Sequence, residues 1–347
     1  QAEAIEQSIV NGRNLLIMTG TGSGKTESFL MPILAKLAIE ASGTPHSFAS
    51  RAVRALLLYP MNALVNDQLG RLRSMFSDPR VTEAFDNWAG RAPQFARYTS
   101  RTPYAGVRDK KKDDARLKSL DEFYVAIERE ASGDGALAER AEGLRQQLQA
   151  KGKWPAKPSL SRWLGSPRSP WLKRGTREFI RAITLPGDSE LITRHEVQVT
   201  PPDLLVTNYS MLEYMLMRPI ERSIFDDTKM WLASNLEQKF MVILDEAHLY
   251  RGAGGAEVGL LIRRLADRLG VSADRIQAIC ATASFSDSTY AREFGAQLSG
   301  CPAETFVPVE GDLKKKQDST GTPADAAALA TVDVVALEQA DTPEAQA

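Results

Sequence analysis

The sequence predicts an α/β fold, with helices on both faces of a central, mostly parallel sheet. Three observations carry this. Short apolar runs recur along the 347 residues, and each is followed by a stretch with helical spacing. Strands that alternate with helices are connected by crossovers, the connection that parallel pairing requires. The first apolar run feeds a glycine-rich turn, "GTGSGKTE" (Gly20 to Glu27), and then a helix, which is one complete βα unit.

The elements follow in order. "EAIEQSIVNG" reads as a helix, with Ile5 and Ile9 on one face and Gly12 stopping it. "NLLIMT" is a short apolar run of the kind a doubly covered parallel strand shows. "KTESFLMPILAKLAIEAS" has helical spacing. "RAVRALLLYP" is a second strand and "ALVNDQLGRLRSMF" a second helix. "DLLVTNYSMLEYML" repeats strand then helix, as does "FMVILDEAHLY" followed by "GAEVGLLIRRLADRLG". "IQAICATAS" is a further strand.

An interruption separates the second and third units. We read residues 78–199 as an insertion within a domain whose two parts are 1–77 and 200–313. About Ala115 to Ala150 is charged and helical, a hairpin broken near "SGDG". From Lys151 to Arg181 there are nine Lys or Arg against one acid, Glu178, with Trp154, Trp163 and Trp171 interleaved. That composition suits phosphate contacts with base stacking, or else Trp residues packed inward beneath solvated charges. Residues 314–347 are rich in Ala, Thr, Asp and Pro and read as a linker or frayed tail.

Composition sets outer limits. The chain is 43% hydrophobic and 25% charged with net charge −1, which argues against a globally basic nucleic-acid coat but not against a local patch. The two cysteines, Cys280 and Cys301, are too few for a zinc site or disulfide framework. With no apolar run near the roughly 18 residues of a membrane helix, and no visible signal peptide, we expect a cytoplasmic location. The chain opens on Gln1 rather than Met, and we expect it to be part of a longer protein.

The glycine-rich turn carries chemistry. A phosphate chain needs many donors and tolerates no bulk beside them. Backbone N–H groups curled into a nest supply the donors, and glycine admits the approach. The following helix turns its positive end to the same space. Thr21, Gly22, Ser23, Gly24, Lys25, Thr26 and Glu27 are therefore candidate nucleotide-binding residues, with Lys25 on the β- and γ-phosphates and Thr26 on Mg²⁺. Thr19 stands where this pattern usually has its first glycine. A second acid should end another buried strand, and "MVILDEAH" supplies it. Asp245 would hold the Mg²⁺ shell, and Glu246 would orient or deprotonate the water that attacks the γ-phosphate.

"TGTGSGKT", "DEAH" and "ATAS", in this order, resemble motifs I, II and III of the superfamily 2 helicases. "YPMNALVNDQ" is similar to motif Ia and "LLVTNYSMLEYML" to the motif Ib region. "DEAHLYRG" looks closest to the DEAH-type DNA helicases of the mitomycin-repair and DISARM-like defence group. The resemblance covers about 1–77 and 200–310. It implies a RecA-like first motor domain, with ATP bound against a second RecA-like domain and nucleic acid, DNA ahead of RNA, running across both. It implies that Gln1 reads adenine, and that His248, Thr282 and Ser284 couple the ATP site to the nucleic acid. It places Pro60, Asn62, Thr207 and Asn208 near the strand backbone. Arg251 is a further candidate nucleic-acid residue.

An arginine-rich "QxxGRxGR" motif does not occur after residue 284. Such arginines are worth about 10³–10⁵ in rate in related phosphoryl-transfer enzymes, so the chain alone is expected to turn ATP over very slowly. Two further readings stay open: a nucleotide-gated switch that clamps nucleic acid or a protein partner of a defence or repair complex, and an RNA helicase. A kinase suits "DEAH" less well, because that sequence suits water as the acceptor.

Overall fold

The structure is a computed structural model that describes residues 1–19, 24–166, 168–282 and 288–310. Thr21, Gly22, Ser23, Ser284 and the expected tail lie outside the described residues.

Each of the five expected strands forms: β1 (Asn14–Met18), β2 (Ala55–Tyr59), β5 (Leu204–Asn208), β6 (Phe240–Leu244) and β7 (Ile276–Thr282). Three more join them: β3 (Phe95–Arg97), β4 (Glu190–Leu191) and β8 (Phe306–Glu310). The eight lie side by side in the order β4-β3-β5-β2-β6-β7-β1-β8, and every pairing is parallel.

The apolar runs are continuous because both sheet faces are covered. Side chains alternate across a strand. Leu15, Ile17, Leu57, Met241, Ile243 and Ile279 point to one face, where the helices Lys25–Gly43 and Asn62–Phe76 bury them. Leu16, Leu58, Val242, Leu244, Ala278 and Cys280 point to the other, under the helices Tyr209–Met217, Arg222–Ser234, Gly252–Leu269 and Ser288–Ser299.

The excursion from this sheet is shorter than the 78–199 expected. The helix Pro79–Ala89 belongs to the main body, since Phe85 packs on Phe48 with ring centroids 5.3 Å apart. β3 and β4 are strands of the main sheet, with Phe95 in register with Leu204 and Glu190 with Phe95. The chain leaves after Arg97 and returns at Glu190.

Between these points the expected helical hairpin forms. Helical turns run from Lys110 to Ala131, and a helix from Ala136 to Ala150 packs back against them. The excursion has its own small core, built on Leu117, Val125, Trp154, Leu160, Trp163 and Ile192. Trp154 and Trp163 are thus interior residues. The Trp163 Nε1 donates to Glu196 Oε1 at 2.9 Å, and the buried Lys157 ammonium donates to the same carboxylate at 2.9 Å. Seven of the nine basic residues from Lys151 to Arg181 are exposed, and Lys157 and Arg181 are buried.

Candidate nucleotide site

In an open parallel sheet, the loops at the carboxyl ends of the strands meet along one edge, and sites form there. Here the register aligns four of those ends, of β1, β2, β6 and β7. Met18 pairs with Thr282, Leu244 with Cys280, and the Asp245 N–H donates to the Leu58 carbonyl at 3.1 Å. The motifs far apart in sequence therefore arrive at one place.

Gly24 ends the glycine-rich turn at φ +81°, in the left-handed region that side chains rarely adopt, and the long helix starts at Lys25. The Gln1 amide lies against this point. A Cβ built on Gly24 would sit 2.7 Å from Gln1 Nε2. Thr26 is buried in the first turn. The Glu27 carboxylate is engaged by Arg71 of the Asn62–Phe76 helix.

Lys25 lies between the two acids of "DEAH". Its ammonium donates to Glu246 Oε1 and stands 3.4 Å from Asp245 Oδ1. Asp245 is buried. Its Oδ1 accepts the Glu246 N–H at 2.8 Å, yet burial outweighs Lys25 and holds its carboxyl above the ordinary value. Glu246 takes φ +49°, a left-handed conformation that a non-glycine residue adopts at a cost of about 1 kcal/mol or more. This bend turns its carboxylate back toward Lys25. The line of contacts continues: His248 Nδ1 is 3.5 Å from Glu246 Oε2 and 3.4 Å from the Thr282 hydroxyl. One row thus joins Lys25, Glu246, His248 and Thr282, each from a different motif or a different position within one.

The donor set suits a hard cation. Among the described residues no three His, Cys, Asp or Glu side chains converge to ligate an ion by themselves. A buried carboxylate such as Asp245 is nonetheless what Mg²⁺ uses when substrate phosphates and water complete its shell.

Two residues here escaped sequence reasoning. The Tyr59 and Tyr250 hydroxyls are buried, without a hydrogen-bond partner among the described residues. Burial, and then the nearby Asp245, push both phenols up. Their signal was adjacency alone, since Tyr59 opens "YPMN" and Tyr250 closes "DEAHLY".

The expected nucleic-acid residues divide. The Asn208 Nδ2 donates to Asn62 Oδ1 at 2.6 Å, and the Asn62 Nδ2 to the Ser100 hydroxyl at 3.3 Å, which joins three chain segments at the same sheet edge. Asn208 also caps the helix Tyr209–Met217 through the Met211 N–H. Pro60 is half-buried at the end of β2, and Arg251 is exposed ahead of the helix Gly252–Leu269. Thr207 is a correction. It is fully buried, and its hydroxyl donates to the Tyr98 carbonyl at 2.6 Å, so its side chain cannot face a nucleic-acid strand. Cys280 is buried too, and burial pushes its thiol up to about 12, which leaves no reactive thiolate.

Residues 1–103 match the DEAD/DEAH box helicase family. Over 351 aligned positions the chain is 43% identical to Druantia protein DruE of Escherichia coli (strain UMEA 4076-1), with 96% of this chain and 18% of that protein covered. It is 28% identical over 109 residues to the uncharacterized ATP-dependent helicase MJ1574 of Methanocaldococcus jannaschii, covering 31% of this chain and 15% of that one. The chain therefore spans less than a fifth of either relative. Among solved structures it is similar to the DUF1998 helicase MrfA bound to DNA (18% identity, 89% of this chain and 26% of that chain, TM-score 0.44). It is also similar to Mycobacterium smegmatis helicase Lhr bound to ssDNA and AMP-PNP (19% identity, 90% and 26% covered, TM-score 0.47).

Proposed function

We propose that this chain, which carries a DEAD/DEAH box helicase domain of superfamily 2, is the nucleotide-binding first motor domain of an ATP-dependent DNA translocase. The observation that carries the reading is the row Lys25–Glu246–His248–Thr282.

Lys25 pairs with Glu246 and stands beside Asp245. A triphosphate arriving at the glycine-rich turn competes for the same ammonium. When Lys25 turns to the phosphates, Glu246 loses its partner and becomes a free base for the attacking water. Thr26 and Asp245 would hold Mg²⁺, which neutralises phosphate charge when bound. Gln1 lies beside Gly24 and would read the adenine edge. His248 touches both Glu246 and Thr282, so a shift at the nucleic-acid edge can reach the base through it. Asn62 and Asn208 are the candidates for the strand backbone. A role in anti-phage defence or DNA repair, in a larger protein with a second RecA-like domain, fits the family and the likeness to Druantia protein DruE.

The test is ATP turnover by the natural full-length protein, without nucleic acid and with single-stranded DNA, duplex DNA or RNA, and with Lys25→Ala as control. The expected result is a Lys25-dependent rate that DNA raises many-fold. Stimulation by RNA alone would move the substrate to RNA. Nucleotide binding with equal turnover in every condition would replace the motor with a nucleotide-gated clamp.

A further inference from the structure

The basic segment of the excursion is not a loose charged loop. Residues 171–180 form a short antiparallel hairpin. The Ile180 N–H donates to the Trp171 carbonyl at 3.0 Å, the Lys173 N–H to Glu178 at 2.9 Å, and Leu172 bridges Phe179. The turn closes with the Thr176 N–H on the Lys173 carbonyl at 3.0 Å. Gly175, at φ +76°, occupies the third turn position, where a type II turn requires glycine.

Two arginines root this hairpin. Arg181 is buried, donates to the Leu164 and Ser169 carbonyls at 2.6 and 3.0 Å, and lies 3.8 Å from the Trp171 ring centroid. Arg108 lies 3.9 Å from the Phe179 centroid and donates to the Arg181 carbonyl at 2.6 Å. The Trp171 Nε1 donates to Asp114 at 3.2 Å. The aromatic faces are thus covered by arginine within the fold, and the acids nearest them, Asp113 and Asp114, are engaged by Arg108 and Trp171.

What the hairpin presents outward is charge. Arg168, Lys173, Arg174 and Arg177 are exposed within ten residues, against Glu178, which stands 3.5 Å from Lys173. Holding like charges together costs energy that a polyanion recovers. Because the rings are occupied inside, the surface offers phosphate contacts and not base stacking. Apart from Ile180 it exposes no large apolar side chain that could enter a lipid layer.

We propose that this hairpin is a second nucleic-acid contact, outside the motor cleft, that grips the phosphate backbone without reading sequence. It rests on the nucleic-acid reading above and adds a separate site to it.

The test is binding of a labelled DNA duplex with a single-stranded tail to the natural full-length protein, by fluorescence anisotropy across salt concentrations. The variant is Lys173→Gln/Arg174→Gln/Arg177→Gln. Each lost phosphate contact removes about 0.9 from the slope of log K against log salt. The slope is expected to fall by about 2 to 3 and the affinity by about tenfold or more, with turnover at saturating DNA unchanged. Glu178→Gln, which removes the opposing acid without disturbing the root, is expected to tighten binding. Lys111→Gln/Lys112→Gln, on the neighbouring helix, is expected to change neither quantity. An unchanged slope in the triple variant, while wild type binds DNA, overturns the hairpin proposal alone. An equal loss in the Lys111/Lys112 control overturns it as well, because charge anywhere on the surface would then suffice. Binding of acidic vesicles or polyglutamate as tight as that of DNA would replace the partner class. No DNA binding by wild type overturns both this and the motor reading.

Discussion

At the scale of single residues, the site turns on Glu246. It sits in a backbone conformation that side chains pay to adopt, and it holds the ammonium that a triphosphate also needs. Glu246→Gln keeps the volume and removes the base. It is expected to lower ATP turnover by at least about a hundredfold while nucleotide binding persists, as read by steady-state turnover beside titration with a fluorescent ATP analogue. Thr282→Val tests the far end of the row. Valine matches threonine in shape but drops the hydroxyl 3.4 Å from His248. Basal turnover should stay within about twofold, and the stimulation by DNA should fall about tenfold. Equal stimulation in variant and wild type would remove Thr282 from the coupling path. The acids and the lysine were legible because they follow apolar strand runs in motifs with stated chemistry. Tyr59 and Tyr250 were not, since nothing in a local pattern reveals that a tyrosine hydroxyl is buried beside a carboxylate. Thr207 misled for the converse reason: it lies in a motif region, but it points inward from β5.

At the scale of elements, two backbones touch where the excursion meets the motif Ia helix. A Cβ on Gly152 would lie 2.3 Å from the Gly70 Cα, and Gly152 has φ +62°. Gly152→Ala combines overlap with backbone strain and is expected to cost about 2 kcal/mol or more in urea unfolding. Gly70→Ala is the contrast. Its Cβ would meet Gly152 at an ordinary 3.5 Å, and alanine favours the helix by up to about 1 kcal/mol, so stability should hold or rise. Equal losses in both would contradict the packing. The helix Arg194–Val199, just after the chain returns to the sheet, carries a pH-sensitive group that touches the excursion. His195 Nε2 approaches the Ala182 carbonyl at 2.8 Å, so that nitrogen carries the proton, while its Nδ1 is buried without a partner among the described residues. Burial first, and then the Arg108 charge, hold the imidazole below its ordinary value of about 6.5. A depressed value means that the unfolded chain binds the proton first. The stability His195 contributes is therefore complete above about pH 6.5 and is lost as pH falls below it. The thermal midpoint should drop from pH 7 to 5, and His195→Gln should flatten that slope. The outer strands of the sheet were the least legible elements. β3 and β4 are too short to show a period, and Pro308 argues against a strand unless the strand lies at an edge, as β8 does beside β1.

At the scale of the whole molecule, the proposed motor needs a cation that the motifs of residues 1–347 do not supply. The 347-residue chain ends its recognised motifs with the third, and an arginine supplied from elsewhere is worth about 10³–10⁵ in rate. Turnover by residues 1–347 alone should lie at least about a thousandfold below that of the full-length protein with DNA. A rate within tenfold of it would show that the first domain carries its own completing cation.

The sequence alone determined the α/β class, five strands and the candidate acids Asp245 and Glu246, because strand burial and phosphate chemistry each leave a local pattern: an apolar run, a glycine-rich turn, an acid at a strand end. Tertiary structure alone decided what depends on neighbours from afar. It set the sheet order, brought Lys25, Glu246, His248 and Thr282 into one row, and buried Arg54 with Glu40 and Asp203 with Arg91, where Arg54 and Asp203 precede β2 and β5. It also turned Trp154 and Trp163 inward and left the basic side chains of the excursion hairpin in water. The reason is physical. A charge or an aromatic ring can be buried or solvated in the same local sequence, and only the groups that fold around it settle which state costs less.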